Sequence, residues 1–504
     1  MAHKFVGLGK NGEKVYLYNR EKEAVRQVLW GDWLSIDEDR LNDGMGADWL
    51  PVRWGRIKEL YIKKKDTIDK RPLEVIFVDV GQGDGAVLIT PETSKKERII
   101  VIDAGEGGNM QAFLNGRFKA YRGFSFDSAI ITHPDMDHYL GFEEIFDDHD
   151  IGFKTIYHSG LVERPVPGSF EKIGGLTKDP VSGDKYMENL AVDKADIERL
   201  FGDPSKLGRY VYPRVMNAAL NNPRIKDFKM LSTFHGKVEN NRTYMPGFAP
   251  SSGRDYTIEV LGPVAELDAN NKPRLIRISS SYGETKNGQS VILRLTYGNF
   301  RILFGGDLNL PAEKYLLKHY TGRTSFPSKS NPDYPQMIAE ARNWFESEVM
   351  KVCHHGSEKV TDAFMEAVNP ACFVISSGDQ EGHVHPRPDL LGRLGRHGRG
   401  DSPVLLSTEL QRSTREREDR NLVNQLNQDI EQLATSPSDA IKKSIKDQIR
   451  TLAKTNVDVY GAIYVKTDGE RLITAFKIEA KSDLKKWFYF EYTIDPSGTL
   501  TLIS

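Results

Sequence analysis

The pattern of hydrophobic and polar positions changes rhythm along this chain, and each change predicts a different kind of element. Over the first seventy residues, short alternating apolar segments are broken by Gly and Asp: Val15-Tyr16-Leu17-Tyr18, Asp48-Trp49-Leu50-Pro51-Val52-Arg53-Trp54 and Leu60-Tyr61-Ile62. Period-two alternation between turn residues predicts half-buried strands, here a small β-barrel over residues 1–70. From Glu74 to about Ser377 the rhythm becomes short continuous apolar runs, each closing on a polar cluster: VIFVDVGQGD, RIIVIDAG, SAIITHPDMDH, RILFGGD, VMKVCHHGS and CFVISSGD. Continuous runs suit strands covered on both faces, so reactive side chains gather at one edge of the sheets. SVILRLTY and FRILFGGD, joined through Gly298-Asn299, read as an antiparallel hairpin, and helices can open at Gly141 and Asp362. The mixture predicts an α/β layered sandwich with helices outside, over residues 72–400.

Two stretches break that pattern. Between about 159 and 257 the chain is polar and rich in Gly, Pro and Asn, which predicts an insertion bordering the site. After Ser402, Leu422, Leu426, Ile430 and Leu433 form one helical stripe and Ile441, Ile445, Ile449 and Leu452 another, with Ser436-Pro437-Ser438 breaking them into a helical hairpin. VYGAIYV, RLITAFKIE and KWFYFEYTI then predict a β-strand extension, so residues 401–504 read as a third part.

Composition excludes more than it identifies. A chain of 504 residues is too long for one ordinary core. Lys plus Arg (69) nearly equals Asp plus Glu (71), so a nucleic-acid partner would be held by a local patch and not by overall charge. Cys353 and Cys372, the two cysteines, form neither a disulfide framework nor a paired thiolate knuckle. The start lacks the apolar run of a signal peptide, and no window approaches a membrane span, so the expected location is cytoplasmic.

Candidate chemistry concentrates at Ile130-Ile131-Thr132-His133-Pro134-Asp135-Met136-Asp137-His138, which crowds four ligand-type side chains onto a loop after an apolar strand. Carboxylates and imidazoles packed this closely repel or compete unless a cation compensates them, and the donor set suits zinc, manganese or iron. HPDMDH is similar to the H-x-[HD]-x-D-H signature of the metallo-β-lactamase superfamily. VDVGQGDG at Val78–Gly85, IDAG at Ile102–Gly105, GGD at Gly305–Asp307 and HHGS at His354–Ser357 follow in the order of ComEC-like competence proteins. GDW at Gly31–Trp33, DWLPVRW and LYIKK resemble a bacterial SH3-like domain, a module that usually binds a ligand or partner, although the tryptophans could equally fill a small core.

The resemblance implies a metallo-β-lactamase αββα sandwich carrying two divalent metal ions, Zn or Mn. His133 and Asp135 would hold the first, Asp137 and His138 the second, and Asp307 would bridge them. His354, or in its place His355, would complete the second site, the other standing behind it. Asp103, and with it Asp84, would orient the ligands without touching the ions. His158 or His235 falls where a third ligand of the first ion is expected, and Ser290 where a site-lining polar group is. An aspartate at position 135, where zinc lactamases commonly carry His, shifts expectation towards manganese. The pair of ions would activate hydroxide, with Asp137 or Asp307 taking the released proton. In SSGDQEGHVHP, His383 or His385 would contact phosphate or protonate the leaving oxygen. Arg387 and Arg393 would grip phosphate, unless the run RPDLLGRLGRHGRG is a solvated charged face.

The function that follows is a metal-dependent hydrolase, a phosphodiesterase or nuclease with a nucleic acid or nucleotide as substrate. A thioester or lactam hydrolase uses the same fold. A partner-binding protein with a structural metal centre, recruiting through its SH3-like and C-terminal parts, is the reading from another class.

Overall fold

The computed structural model describes residues 2–55, 57–93, 96–119, 124–378, 385–408, 420–455, 461–478 and 482–503. It is a mixed α/β structure in which two large sheets face each other and carry helices on their outer sides. The first, of ten strands, runs Asp227–Met230, Gly152–His158, Ser125–Ile131, Ile99–Ala104, Gly85–Ile89, Leu73–Phe77, Ile463–Thr467, Arg471–Lys477, Trp487–Ile494, Leu500–Leu502. The second, of eight, runs Lys237–Glu239, Arg242–Tyr244, Tyr256–Gly262, Ile292–Tyr297, Phe300–Phe304, Val349–Lys351, Cys372–Ile375, Val404–Ser407.

The continuous apolar runs are explained by the alternation of a strand with both faces covered. In the first sheet Val75, Phe77, Leu88, Ile100, Ile102 and Ile130 turn inward to meet Leu293, Leu295, Ile302, Phe304 and Val374 of the second. Their neighbours Ile76, Val87, Ile89, Val101, Ala129 and Ile131 turn outward, against Phe113 and Leu114 of the helix Asn109–Phe118 and Phe142 and Phe146 of Phe142–Asp147. On the far side, Leu303, Met350, Phe373 and Ile375 pack on the helices Leu310–Tyr320, Asp333–Phe345, Asp362–Val368 and Pro388–His397. Every strand whose C-terminal end opens on a polar motif in a parallel pair ends at the same edge: Ile99–Ala104 beside Ser125–Ile131, and Phe300–Phe304 beside Val349–Lys351 beside Cys372–Ile375.

Two sequence boundaries are corrected. Residues 159–257 are not an insertion apart from the layers. Asp227–Met230 pairs in parallel with Gly152–His158, and the helices Lys194–Phe201 and Val211–Asn221 bury Ile197, Phe201, Tyr212, Val215 and Met216 in the outer core of the first sheet. Their apolar positions are few per element and separated by loops, which hides the pattern from a linear reading. The C-terminal strands likewise continue the first sheet, because Ile463–Thr467 pairs antiparallel with Leu73–Phe77. Between the last strand of the second sheet and this pairing stand the helices Arg420–Thr435 and Asp439–Thr455, packed on each other as the expected hairpin. The side chains of Leu422 and Leu452 lie outside the described residues.

The first 68 residues form a separate seven-stranded antiparallel sheet around Val6, Leu17, Leu34, Val52 and Ile62. Trp30 is not in that core. It is buried with Leu29 against Ile473 and Ala475 of the C-terminal strands. The seam is reinforced by Lys466, whose Nζ donates to the Trp30 carbonyl (2.7 Å) and pairs with Glu74 (3.1 Å). Glu74 also meets Arg71 and Arg117, at 3.0 and 2.9 Å, so this buried carboxylate is held well below its usual pKa: three cations outweigh the desolvation that opposes its charge.

Ile463 is fully buried in the shared core, whereas Ile449 on the hairpin is 51 % exposed. Ile463→Ala is therefore expected to cost about 2–5 kcal/mol of stability, and Ile449→Ala less than about 0.5 kcal/mol, both read from urea unfolding followed by tryptophan fluorescence. Equal small effects would detach the C-terminal strands from the core.

Candidate metal centre

The site forms where the strand ends of the two sheets converge. From the first sheet, Ser125–Ile131 runs into Thr132-His133-Pro134-Asp135, and the Asp135 side chain caps the one-turn helix Met136–Tyr139, which carries Asp137 and His138. The neighbouring strand Ile99–Ala104 ends with Asp103 at φ 53°. That left-handed backbone, costly for a residue with a Cβ, turns its carboxylate across the loop. There Asp103 accepts from Thr132 N (2.8 Å), Thr132 Oγ1 (2.6 Å) and His138 Nδ1 (2.8 Å). The loop Val78–Gly85 closes from below, with Asp84 N donating to the Asp137 carbonyl at 3.2 Å. Gly83, at φ 104°, has no room for a side chain, since a Cβ would lie 1.7 Å from that same carbonyl oxygen.

The second sheet contributes Asp307, after Gly305-Gly306, and His354-His355, after Val349–Lys351. Both histidines are left-handed, at φ 52° and 53°, and Gly356 follows at φ 92°. The consecutive αL residues reverse the chain tightly and send the two rings in different directions, their planes 84° apart. His355 faces the buried carboxylates, with Nδ1 3.1 Å from the Ser376 carbonyl and 3.1 Å from Asp84 Oδ1, and Nε2 3.3 Å from both Asp137 Oδ2 and Asp307 Oδ2. His354 sits at the rim, its Nε2 3.9 Å from Asp307 Oδ2. The expected roles of this pair are thus exchanged: His355 is the inner residue and His354 the outer one.

Hydrogen bonding sets the tautomers. His355 Nδ1 faces a carbonyl and so donates. His138 Nδ1 donates to Asp103. His133 Nδ1 lies 3.2 Å from Ser290 Oγ and 3.2 Å from Thr132 Oγ1. Those hydroxyls already direct their protons to the Asn287 carbonyl and to Asp103, so His133 Nδ1 donates as well. With a cation among them, all three imidazoles would turn an Nε2 lone pair to the cluster, where His133 Nε2, His138 Nε2, His355 Nε2, Asp307 Oδ1 and Asp84 Oδ1 are buried without a well-formed hydrogen bond. The rings succeed one another, with centroids 4.1 Å (His133 to His138) and 5.2 Å (His138 to His355) apart. Asp84, His138, Asp307 and His355 each offer a donor atom within 4.8 Å of the others.

Within this group Asp84 also faces His355 Nδ1 (3.1 Å) and pairs with the buried Lys351, whose Nζ donates to the Gly306 carbonyl at 3.1 Å. Asp84 and Asp103 therefore orient the imidazoles, while Asp137 and Asp307 face their free nitrogens: His138 Nε2 is 3.4 Å from Asp307 Oδ1 and 3.9 Å from Asp137 Oδ1. Burial opposes charge on every one of these groups, yet Asp307 and Asp103 hold the His138 pKa well above its usual value, and His355, His138 and His354 hold Asp307 well below its own. His133 goes the other way, lowered by burial and then by His138. Clustered acids, free imidazole nitrogens and unpartnered buried oxygen are the donor chemistry a divalent cation takes.

The remaining candidates divide. Ser290 lines the site between His133 and Asp307, accepting from Asp307 N at 3.3 Å. His385 is near the rim, its ring centroid 6.1 Å from that of His354. His383 lies outside the described residues. His158 and His235 are not brought to the cluster: His158 Nδ1 accepts from Gly160 N, burial pushing its pKa down to about 4, and His235 contacts Ser232 Oγ. Among the described residues neither makes a hydrogen bond or ion pair to His133, Asp135 or Asp307. Arg393 is corrected from phosphate binding to structure, since its guanidinium is spent on Asp362 Oδ1 (2.8 Å) and the carbonyls of Glu358 and Val360. Arg387 lies 3.4 Å from Glu358. Sequence reading missed Lys351 and Lys286, although a lysine inside the apolar run VMKVC is itself a sign of a buried ion pair.

No family model matches the chain. It is 29% identical over 113 residues to competence protein ComA of Neisseria gonorrhoeae, a match spanning 22% of this chain and 13% of that protein. A solved structure from Parabacteroides distasonis, described as a metal-dependent hydrolase, aligns with a TM-score of 0.27 and 11% identity over 67% of this chain and 93% of that one. No helix among the described residues is long and apolar enough to cross a membrane.

Because Asp103 fixes the His138 tautomer, Asp103→Asn is expected to weaken Mn²⁺ or Zn²⁺ affinity by about 10–100-fold, measured by competition with a chelating dye. Unaltered affinity would remove His138 from the ligand set.

Proposed function

We propose that this chain is a metal-dependent hydrolase of the metallo-β-lactamase αββα fold that cuts phosphodiester bonds, with a nucleic acid or nucleotide as substrate. The observation carrying the reading is the cluster at the strand ends of two stacked sheets, where the buried Nε2 atoms of His133, His138 and His355 gather with Asp307. The order of motifs from VDVGQGDG through HPDMDH to HHGS, and the partial likeness to a competence protein, support the same assignment.

A divalent ion bound there would act as a Lewis acid and make water ionise near neutral pH. The chain's own part is to hold and orient. Asp137 and Asp307 supply anionic oxygens, a hard set that favours manganese or zinc over softer ions, and Asp84 and Asp103 keep the imidazoles aimed inward. His385 stands at the rim beside His354, and it or His383 would contact the phosphate or protonate the leaving oxygen. The seven-stranded N-terminal unit is proposed as the SH3-like module that recruits a partner, and the cytoplasm as the place of action.

Hydrolysis of bis(p-nitrophenyl) phosphate, single-stranded DNA, duplex DNA, RNA and cyclic dinucleotides, beside a thioester and a lactam, tests the reading. Phosphodiester cleavage that stops with a chelator, returns with Mn²⁺ or Zn²⁺, and falls roughly 100-fold or more in Asp307→Asn is the expected result. Turnover of the thioester or lactam alone would replace the phosphodiesterase assignment with its alternative.

A further inference from the structure

The two halves of the HPDMDH loop do not have the same surroundings. Asp137 and His138 face the unpartnered nitrogens and oxygens already described. Asp135 faces a fixed cation. Lys286, in the helix Tyr282–Gly288 and almost fully buried, places Nζ 3.2 Å from Asp135 Oδ1 and 3.4 Å from Glu163 Oε1. Asp135 Oδ1 also accepts from Met136 N, and the Asn287 amide lies 3.2 Å from Asp135 Oδ2, where turning its nitrogen inward satisfies both groups.

The ammonium is held from several sides. Glu163 accepts from Tyr282 Oη at 2.8 Å, and the Tyr282 ring lies 5.2 Å from Lys286 Nζ. The helix itself is pinned by the Ser281 side chain capping Glu284 N and by Asn309 donating to the Glu284 carbonyl. Lys286 does not stand in a flexible loop from which it could swing away. Of the histidines expected to complete a first metal position, His158 accepts from Gly160 N through Nδ1 and His235 contacts Ser232 Oγ through its own Nδ1.

We infer that the centre takes one divalent ion per chain, held by His138, His355, Asp137 and Asp307, and that the Lys286 ammonium occupies the neighbouring position where a dinuclear site would hold its other ion. A divalent ion at Asp135 would have to displace a buried ammonium from its carboxylate and then stand beside it, cation against cation. With Asp135 removed from the ligand set, His133 is left to turn its free Nε2 to the ion that His138 holds. This rests on the metal-centre reading and sharpens it: the positive charge facing a bound phosphate would come from one ion and one lysine, not from two ions.

The test counts metal. The full chain is stripped with a chelator, reloaded with Mn²⁺, freed of excess by gel filtration, and analysed by inductively coupled plasma mass spectrometry and by electron paramagnetic resonance. One Mn²⁺ per chain with the six-line signal of an isolated ion is expected. Lys286→Arg should keep that value, while Lys286→Met, which removes the charge at similar volume, should admit up to two ions with the signature of spin coupling. Two coupled ions in the unaltered chain would overturn the inference and leave the metal centre standing. No bound ion in the unaltered chain would overturn both.

Discussion

Carboxylates buried close together at the junction of two sheets set the terms for the rest of this structure. Asp84, Asp103 and Asp307 are almost fully buried and Asp137 nearly so, and none could remain ionised there without compensation. The fold supplies it in layers. Lys351 neutralises Asp84, three imidazoles surround Asp137 and Asp307, and Lys286 answers Asp135. Three strained residues sit at the same place. Asp103, His354 and His355 all adopt left-handed backbone, and their strain is borne because strand pairing and the surrounding core leave no relaxed alternative.

What could be read from the sequence was set by how local the physics is. VIFVDV, RIIVIDAG and SAIIT read correctly as strands because burial on both faces leaves a continuous apolar run that needs no knowledge of partners. The convergence of HPDMDH with the GGD and HHGS segments was legible because each motif closes such a run, and parallel strands share a C-terminal edge. The choice between His354 and His355 was not legible. Ordinary strand alternation gives no warning of two successive positive φ angles, which decide the direction of each ring. Nor was Lys286, six residues before the strand Ile292–Tyr297, recognisable as part of the site, because its approach to Asp135 depends on where the helix Tyr282–Gly288 docks. The strands after residue 461 looked like an appendage because sequence distance conceals that they pair with residues 73–77.

That last pairing gives the architecture its closure. The chain leaves the second sheet at Ser407 and, after the helical hairpin, returns to the middle of the first, where Ile463–Thr467 covers the exposed side of Leu73–Phe77. An edge that would otherwise offer unpaired backbone groups is thereby satisfied. The N-terminal unit then leans on the added strands through Trp30, whose ring packs on Ile473 and Ala475 and whose carbonyl accepts from Lys466, so the two ends of the chain meet on one surface.

The way the site draws its groups from both layers has a mechanical meaning. Asp137 and His138 hang from one sheet, Asp307 and His355 from the other, and most of what lies between those sheets is close-packed hydrocarbon, which sets no register of its own. An ion seated among the four would rivet the layers together, so its binding energy would resist sliding of sheet against sheet as well as serve chemistry. Losing such an ion would then loosen the two layers from that edge inward.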